Sequence, residues 1–339
     1  MTPKLASVNV PAVTSASAVD ALVRALATDG VCALDPSVPA AVWEKALSGP
    51  AAEFLARPGK QLRAAFVRAG WSLAGGAHAC PERLSLIVEL LHAGSLIVDD
   101  VQDGSTERRG GPALHHLVGV PLAINVGSWM YFWALAEIGE LGLAPHIELR
   151  IQRVAAATLM RCHQGQALDL SVKIADLEMA QIPGVVAATT RLKTASLCRL
   201  ATEIGALAAD VSSDRLAAIG AFGEAAGTAL QMLDDLGSLT SRREKGREDL
   251  RGGRPTWPWA WLVAHRPFAW ARLAQLERVL ASDDNADVLA DALAGEIGDV
   301  GRSEIRTFIA NAVADLEASL GPSEALSLIV GELERMARS

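Results

Sequence analysis

The chain has 339 residues, half of them hydrophobic, which is enough apolar material for a large buried core. Its formal net charge of -8 excludes a general affinity for nucleic acid, because that affinity depends on basic residues that neutralise phosphates. Alanine, leucine and valine dominate, whereas tyrosine occurs once and phenylalanine six times, a composition that favours helices over sheets.

The predicted elements begin in an extension rich in Ala, Ser, Val and Pro. This extension, residues 1–38, is expected to be partly ordered, with one short helix at Val19–Thr28. From residue 39 onward, apolar residues recur at three- and four-residue spacing, which predicts amphipathic helices. In chain order the predicted helices are Val42–Ala56, Gln61–Gly75, Pro81–Asp100, Pro121–Gly139, Ile147–Leu170, Ile182–Ile204, Ser213–Leu239, Thr256–His265, Ala269–Ala281, Asn285–Ile297, Glu304–Leu316 and Ser323–Ala337. Strand-like alternation is missing, and the breaks carry turn residues, so we expect one all-α domain over residues 39–339.

The cysteines and the apolar runs indicate the compartment. Cys32, Cys80, Cys162 and Cys198 lie far apart without CxxC spacing, which predicts neither a zinc site nor a disulfide framework and favours a reducing, cytoplasmic setting. The N-terminus lacks a basic start followed by an unbroken apolar stretch, and no later stretch approaches about 18 uncharged apolar residues. We therefore expect no stable membrane insertion.

The stretch LIVDDVQDGSTERRGGPALHH places three aspartates at the end of an apolar predicted helix. A helix C-terminus carries about half a negative charge, so Asp99, Asp100 and Asp103 are disfavoured there unless a cation offsets them. Lysine, arginine or a divalent metal could supply that charge. Because Asp99 and Asp103 are four residues apart, they share a helix face and can offer oxygens to one Mg²⁺, whereas Asp100 is expected to face sideways.

A second stretch, ALQMLDDLGSL, ends another apolar run with Asp234 and Asp235. One such cluster alone is more often a solvated helix end, but two of them favour a metal site whose halves could face each other across a cavity. Metals with few protein ligands complete their shells with water and substrate phosphates. The pattern therefore predicts a diphosphate substrate.

Basic residues are locally concentrated in this acidic chain. They are Lys60 and Arg63 in RPGKQLR, Arg108 and Arg109 in TERRGG, Lys193 in RLKTASL, and Lys245 and Arg254 in REKGREDLRGGRPT. Each alone is more often a surface charge. The neighbouring glycines, however, indicate loops that let the backbone approach a ligand closely.

In this order, the motifs resemble those of the trans-isoprenyl diphosphate synthases, the polyprenyl synthetase family, from about Arg57 to the C-terminal region. PGKQLR resembles the family's GGKRxRP, and DDVQDGSTERRGGPALH resembles its first aspartate-rich motif with the trailing RRGxP. RLKTASL is similar to its KT motif. LQMLDDLGS followed by LRGGRPTWP is similar to the second aspartate-rich region and its GKxT ending.

The resemblance implies an all-α isoprenoid-synthase bundle around a deep central cavity, usually as a homodimer. It implies three Mg²⁺ ions bound with the substrate diphosphate, and two substrates, an allylic diphosphate and isopentenyl diphosphate. Carried over by position, the metal ligands are Asp99, Asp103 and Asp234. The resemblance gives Asp100 and Asp235 supporting roles.

The substrate contacts also come from the resemblance. Arg108, Lys193 and Lys245 would hold the allylic diphosphate, with Arg254 sharing the role because it replaces the lysine of GKxT. The residues that would hold isopentenyl diphosphate are Lys60, Arg63, His92 and Arg109. Thr194 and Gln231 would line the reacting centre. His92 precedes Asp99 by two helical turns on the same face, although a histidine on an apolar helix is also often a core residue.

The sequence departs from the family at Ser238, which stands where a third aspartate is usual and would be a weaker magnesium ligand. DDLGSLTSR also resembles the NDxxSxxxE motif of class I terpene cyclases, with Arg242 in place of the glutamate. Three functions therefore remain open. They are a prenyltransferase giving a farnesyl- to geranylgeranyl-sized diphosphate, a synthase-like cyclase acting on a prenyl diphosphate, and a non-catalytic subunit of a heteromeric synthase, against which the intact DDVQD argues.

Product length depends on what closes the cavity before the first motif. Gly94 and Ser95 are small and are expected to leave its floor open. The bulky residues of the neighbouring helix, Trp129, Met130, Phe132 and Trp133, could cap the cavity or could simply be core packing.

Overall fold

The computed structural model describes residues 15–27, 30–59, 62–240, 244–280, 286–323 and 331. Most of these residues lie in helices, which confirms the all-α prediction. Contacts between Cα atoms divide the chain into two compact units. Unit 1 comprises the chain up to Ala65 together with Cys80–Ala144, and unit 2 comprises Phe66–Ala79 together with the chain from Pro145 onward. The single domain over residues 39–339 stays a prediction.

Unit 1 is built of helices and one very short hairpin. Its elements are α1 Ser15–Leu26, α2 Ala40–Trp43, a π-helical turn Glu44–Ser48, α3 Gly49–Ala56, the start of α4 Leu62–Leu73, α5 Glu82–Asp103, β1 Glu107–Arg108, β2 Gly111–Pro112, α6 Leu114–Val118 and α7 Val120–Ile138. Helices α5 and α7 are apolar on nearly every side, and they pair with each other extensively. A helix of that kind belongs in a core, because it has no polar face to offer water.

The pairing of α5 with α7 depends on two glycines. A Cβ atom on Gly94 would lie 2.5 Å from the carbonyl oxygen of Gly127, and a Cβ atom on Gly127 would lie 3.0 Å from that of Gly94. The expectation of an open floor is therefore wrong at Gly94, where the backbone of α7 fills the space, and it stays a prediction at Ser95. Of the bulky residues on α7, Met130 is fully buried as core packing, whereas Phe132 is 69% exposed.

Unit 2 holds the longer helices. Its elements are the end of α4, α8 Pro145–Ser171, short 3-10 turns at Ile174–Asp176 and Met179–Gln181, α9 Ile182–Thr190, a π-helical turn Arg191–Ala195, α10 Ser196–Ala208, α11 Ser213–Thr240, α12 Glu244–Arg251, α13 Trp257–His265, α14 Pro267–Leu280 and α15 Ala286–Leu320. Helix α11 packs extensively against both α10 and α15. By length and composition alone, Ser213–Leu239 could cross a membrane. Its packing identifies it as a core helix, and core helices pass the same test.

The prediction of two helices at Asn285–Ile297 and Glu304–Leu316 is wrong, because the structure has one continuous helix there, α15. The run GDVGRS has the composition of a break, yet the helix continues through it. Gly301 lies against the buried ring of Trp261, and a Cβ atom there would come within 2.7 Å of that ring. This glycine therefore serves close packing, which a sequence alone does not distinguish from a helix end.

Other predicted elements differ from the structure more locally. The helix predicted over Ile182–Ile204 is interrupted by the π-helical turn of the KT motif, and α12 and the hairpin β1–β2 were not predicted. The short helix predicted at Val19–Thr28 begins earlier, as α1. The final predicted helix, Ser323–Ala337, falls almost entirely outside the described residues.

Candidate active site

Helix α5 of unit 1 ends in the first aspartate-rich stretch. Gly104 follows it in the left-handed conformation, with φ 66°, and the N–H groups of Gly104 and Ser105 donate to the carbonyl of Asp100. Asp99 and Asp103 are half-buried and share a helix face. Among the described residues, no three His, Cys, Asp or Glu side chains form a ready-made metal cage. Mg²⁺ commonly uses one or two carboxylates plus water and phosphate oxygens, and Asp99 with Asp103 fits such a site.

The third aspartate of this stretch, Asp100, is fully buried against Arg108. The guanidinium of Arg108 donates two hydrogen bonds to Asp100 Oδ1, one of them from Nε at 2.7 Å, and its Nη2 lies 3.8 Å from Asp99 Oδ2. Burial lowers the pKa of Arg108, but the hydrogen bonds and charge of Asp100, with the charges of Asp99 and Asp103, outweigh burial and raise it. Arg108 is thus a permanent cation that offsets the negative charge at this helix end. Its contact with a diphosphate stays a prediction.

The RRGxP-like segment folds as a tight hairpin. Strands β1 and β2 pair antiparallel, and the two loop residues between them, Arg109 and Gly110, have φ angles of 52° and 77°. Two positive φ angles identify a type I′ turn, in which Asn-Gly or Asp-Gly is the usual pair. An arginine in the first position costs about 1–2 kcal/mol of backbone strain. Such strain persists only where surrounding contacts impose it.

Those contacts centre on Phe54, a fully buried side chain of α3. The guanidinium carbons of Arg57 and Arg109 lie 5.5 Å and 5.4 Å from the centroid of its ring. Arg57 Nη2 lies 2.8 Å from Glu53 Oε1, and Arg57 Nη1 donates to the carbonyl of Arg108 at 2.8 Å. The hairpin is thereby attached to α3 through one aromatic ring and one arginine.

Positive charge accumulates around this hairpin. Burial lowers the pKa of Arg109; the carboxylate of Glu89 raises it, and the cations Arg63, Arg108 and Arg57 lower it again. Arg57 is paired with Glu53 and Arg108 with Asp100, whereas Glu89 is the carboxylate that acts on Arg109. Guanidinium groups bind anions through several charge-assisted hydrogen bonds, so Arg109 and Arg63 suit an anionic ligand. The structure thus brings two predicted isopentenyl diphosphate ligands, Arg63 and Arg109, into one electrostatic cluster.

Two further residues were assigned to the same substrate. Lys60 lies outside the described residues. His92 is half-buried on α5, where its backbone carbonyl accepts a hydrogen bond from the Ser95 hydroxyl at 2.8 Å. The role of each stays a prediction.

In unit 2 the KT motif forms the π-helical turn Arg191–Ala195. A Cβ atom on Gly165 of α8 would lie 2.4 Å from the backbone nitrogen of Lys193, and one on Gly227 of α11 would lie 2.7 Å from the Cα of Ala195. Two glycines on different helices therefore hold the turn between them. Single π-helical turns occur frequently at functional sites, since they alter the direction of side chains within a helix.

The predicted phosphate ligands Lys193 and Arg254 meet at an aspartate that sequence reasoning missed. Lys193 Nζ lies 2.6 Å from Asp169 Oδ2, and Arg254 Nη1 lies 3.9 Å from the same oxygen and 3.0 Å from Asp249 Oδ1. All four side chains are mostly buried, so these charges interact more strongly than at an open surface. Lys245 belongs to α12, but its side chain lies outside the described part of the chain.

Gln231 links the KT turn to the second aspartate-rich stretch. Its Oε1 accepts a hydrogen bond from the Thr194 hydroxyl at 2.8 Å, and its Nε2 donates to Asp235 Oδ1 at 2.7 Å. The other oxygen of Asp235 accepts the backbone N–H of Trp257 at 3.0 Å, while the indole N–H of Trp257 donates to Thr190 at 2.9 Å. The structure therefore brings Thr194, Gln231 and Asp235 together, and it adds Trp257.

The two aspartates of this stretch occupy different environments. Asp234 is exposed, whereas burial raises the pKa of Asp235 to about 7 against the opposing effect of its hydrogen bonds from Trp257 and Gln231. The Ser238 hydroxyl donates to the Asp235 carbonyl at 2.7 Å, which leaves the lone pairs of its oxygen for a cation. Asp234 thus offers the accessible carboxylate, and Asp235 anchors the first turn of α13.

Most of the chain is similar in sequence to proteins of one family. The polyprenyl synthetase family model matches residues 44–293. The chain belongs to the polyprenyl synthetase family. It is 30% identical to a geranylgeranyl pyrophosphate synthase of Macrophomina phaseolina, over 72% of this chain and 73% of that protein. It is 38% identical to geranylgeranyl pyrophosphate synthase 2 of Zymoseptoria tritici over 38% of this chain, and the match spans only 37% of that relative's length.

The fold of this family member is also similar to solved structures. The geranylgeranyl pyrophosphate synthase from Corynebacterium glutamicum, complexed with isoprenyl diphosphate and magnesium, has a TM-score of 0.77. The alignment covers 95% of this chain and 98% of that one, at 20% sequence identity. At that identity the likeness concerns the fold, and it confirms the predicted isoprenoid-synthase architecture.

Four residues that contact the family motifs were missed by sequence reasoning. They are Phe54, Arg57, Asp169 and Trp257. Asp169 lies four residues after Gly165, one turn along α8, but only the structure shows that the KT turn packs against that glycine. The other three meet the motifs at Arg109, Arg108 and Asp235, which are distant in the sequence, so no local pattern points to those contacts either.

Proposed function

We propose that this chain is a magnesium-dependent trans-prenyltransferase. It would condense an allylic diphosphate with isopentenyl diphosphate and release a prenyl diphosphate of farnesyl or geranylgeranyl size, in keeping with the names of its relatives. The supporting observation is that the first motif and its hairpin provide two different anion-binding groups. Asp99 and Asp103 suit a diphosphate bound through metal, whereas the guanidinium cluster around Arg109 suits a diphosphate bound without it. A condensation needs both.

Bound magnesium supplies charge stabilisation as the allylic carbon–oxygen bond breaks and the diphosphate leaves. Asp99, Asp103 and Asp234 would hold the metal ions, three in number by family resemblance, with Ser238 as a weaker ligand. Lys193 and Arg254 would neutralise the same diphosphate, and their shared neighbour Asp169 orients them before substrate arrives. Apolar side chains would exclude water from the carbocation, and the departing diphosphate would accept the final proton.

Two statements about the molecule's surroundings belong to the same proposal. The four cysteines of the described chain carry thiols rather than disulfide bonds, which supports a reducing, cytoplasmic location. We also expect two copies to pair, because α7 exposes the apolar residues Val120, Ile124 and Phe132. Light scattering on the purified chain measures the mass directly, and a monomer at micromolar concentration would contradict the pairing.

The proposed reaction is tested by incubating the purified protein and Mg²⁺ with dimethylallyl, geranyl or farnesyl diphosphate, each with and without isopentenyl diphosphate. A longer prenyl diphosphate, formed only when isopentenyl diphosphate is present, is the expected product. Asp99→Ala should abolish turnover, because it removes a carboxylate that the metal needs. Retained turnover in that variant would contradict the assigned metal site.

A cyclase is the second candidate, and Ser238 is the residue that favours it. The same incubations separate the two, because a hydrocarbon or terpene alcohol made without isopentenyl diphosphate would identify cyclisation. Arg63→Met should impair elongation more than cyclisation, since only elongation holds a second diphosphate beside the first. Turnover that requires an added homologous subunit would instead identify a non-catalytic partner.

A further inference from the structure

The hairpin that carries Arg108 and Arg109 is attached to α3 by Arg57, a residue outside every family motif. Arg57 is only 8% exposed, and its guanidinium makes three kinds of contact. It binds both carboxylate oxygens of Glu53, donates to the Arg108 carbonyl, and lies over one side of the Phe54 ring. Gly111 gives it room, because a Cβ atom there would lie 3.3 Å from the Arg57 guanidinium carbon.

Arg109, in contrast to Arg57, has a strained backbone. The contacts around its side chain must hold that backbone in place. Its φ of 52° places a long side chain in a region that glycine or asparagine normally occupies. Its guanidinium lies over the same Phe54 ring and close to the backbone of Gly59, where a Cβ atom would be 3.3 Å from the guanidinium carbon. The contacts that impose this conformation therefore include Phe54 and the hydrogen bond from Arg57 to the Arg108 carbonyl of β1.

We propose that Arg57 is a positioning residue that holds the strained Arg109 turn in place and so orients the Arg109 guanidinium for a metal-free diphosphate. This inference rests on the proposed function, because isopentenyl diphosphate is the ligand that Arg109 would bind. Arg57 itself touches the hairpin backbone and Phe54, and it acts on the substrate only through Arg109.

The neighbouring Arg108 does not share this dependence. Its guanidinium is fixed by two hydrogen bonds to the buried Asp100, whereas Arg57 contacts only its backbone carbonyl. Loss of Arg57 should therefore disturb the isopentenyl diphosphate side and leave the allylic side intact. A general loss of folding would disturb both.

The test uses Arg57→Met and Arg57→Lys in the full chain. The KM for isopentenyl diphosphate should rise by about tenfold to 100-fold, the change expected when the charge-assisted hydrogen bonds from Arg109 are lost. The KM for the allylic diphosphate and kcat should stay within about twofold. Arg57→Lys should not rescue, because one ammonium cannot bind both Glu53 oxygens and the Arg108 carbonyl in the fixed geometry of a guanidinium.

A matched control is Arg83→Met, since Arg83 also pairs with a glutamate, Glu137, and donates to a backbone carbonyl, that of Glu140, in the same unit. It should leave both KM values unchanged. A double-mutant cycle with Arg109→Gly then isolates the route of the effect. In the Arg109→Gly background, Arg57→Met should change the KM for isopentenyl diphosphate by no more than about twofold. If the two substitutions instead raise this KM independently, so that their effects multiply, the inference is overturned.

Amide hydrogen exchange in the hairpin gives a readout that needs no substrate. Exchange over Arg109–Ala113 should be faster in Arg57→Met than in the wild type and in Arg83→Met. If the wild-type protein makes no prenyl diphosphate, the proposed function fails, and the exchange comparison still decides the role of Arg57. Equal exchange in all three proteins would overturn the positioning role even if turnover is normal.

Discussion

Gly165 offers the sharpest test of how packing sets the position of a candidate catalytic lysine. In Gly165→Ala the new methyl carbon would lie 2.4 Å from the Lys193 nitrogen and 2.8 Å from the Leu192 carbonyl carbon. Both are backbone atoms of the π-helical turn, so no side chain can rotate away to make room. The shorter distance is about 1 Å less than the 3.4 Å at which ordinary van der Waals contact begins, so α8 and the turn must separate by roughly that amount.

The expected cost follows from two opposing effects. Overpacking of a close-packed interior costs about 3 kcal/mol at the upper end of its usual range, which suits a contact with backbone on two sides. Replacing glycine by alanine inside a helix returns about 1 kcal/mol of helix propensity. The free energy of unfolding should therefore fall by about 2 kcal/mol. Turnover should fall by about 100-fold, because Lys193 moves by about 1 Å from the diphosphate that it is proposed to bind.

Urea unfolding followed by circular dichroism measures the first quantity, and a steady-state prenyltransferase assay measures the second. Gly184→Ala is the control, because this glycine lies in α9 of the same unit and a Cβ atom there would have nothing within 4 Å. It should stabilise the chain slightly and leave turnover unchanged. Equal stability and equal turnover in the two alanine variants would refute the assigned packing of Gly165 against the KT turn.

Three further outcomes are expected. In the metal-free protein the contribution of Asp235 to the free energy of unfolding should fall as pH rises from about 4 to about 7. The pKa of Asp235 is about 7 when folded and 3.8 in its ordinary state, so at this position only the folded chain keeps the proton across that range. Asp235→Asn should flatten that profile in pH-dependent urea unfolding. The Gln231 amide would rotate so that its oxygen accepts from the new asparagine amide. An unchanged slope would contradict the burial of this carboxyl. Trp257→Phe should lower the free energy of unfolding by about 1 kcal/mol, because the Thr190 hydroxyl loses its indole donor while the backbone hydrogen bond to Asp235 persists. No change in urea unfolding would argue against the bond between Trp257 and Thr190. Ser238→Asp should lower the Mg²⁺ concentration for half-maximal turnover several-fold, since a carboxylate binds Mg²⁺ more tightly than a hydroxyl. If a magnesium titration shows that the variant needs more Mg²⁺ than the wild type, Ser238 does not contact the metal.

Much of the architecture was predictable from apolar spacing alone. Helices α5, α7, α8, α11 and α13 begin and end within a few residues of their predicted bounds. Periodicity succeeds here because it reports which face of a single helix avoids water, a property that the local sequence contains in full. The aspartates and basic residues of the motifs were likewise visible as residue types at fixed spacing.

The sequence did not reveal which side chains would pair. Asp99 and Asp100 are adjacent and chemically identical, yet Asp99 is half-buried and Asp100 is fully buried against Arg108. Asp234 and Asp235 differ in the same way. Burial depends on which other helix covers a position, and that partner is distant in the chain.

Glycine shows the division between sequence and tertiary structure most plainly. Gly94, Gly165 and Gly301 each lie within a helix, where intrinsic propensity disfavours them by about 1 kcal/mol relative to alanine. From sequence Gly94 suggests an open pocket and Gly301 a helix break. In the structure each of the three is a point where another backbone or an indole ring approaches too closely for a methyl group. The sequence by itself determined the helices, the charges and the chemistry of the motifs. Only the tertiary structure decided how the KT turn, the strained Arg109 hairpin and the buried carboxyls are held, because those features depend on distances between segments that no local pattern encodes.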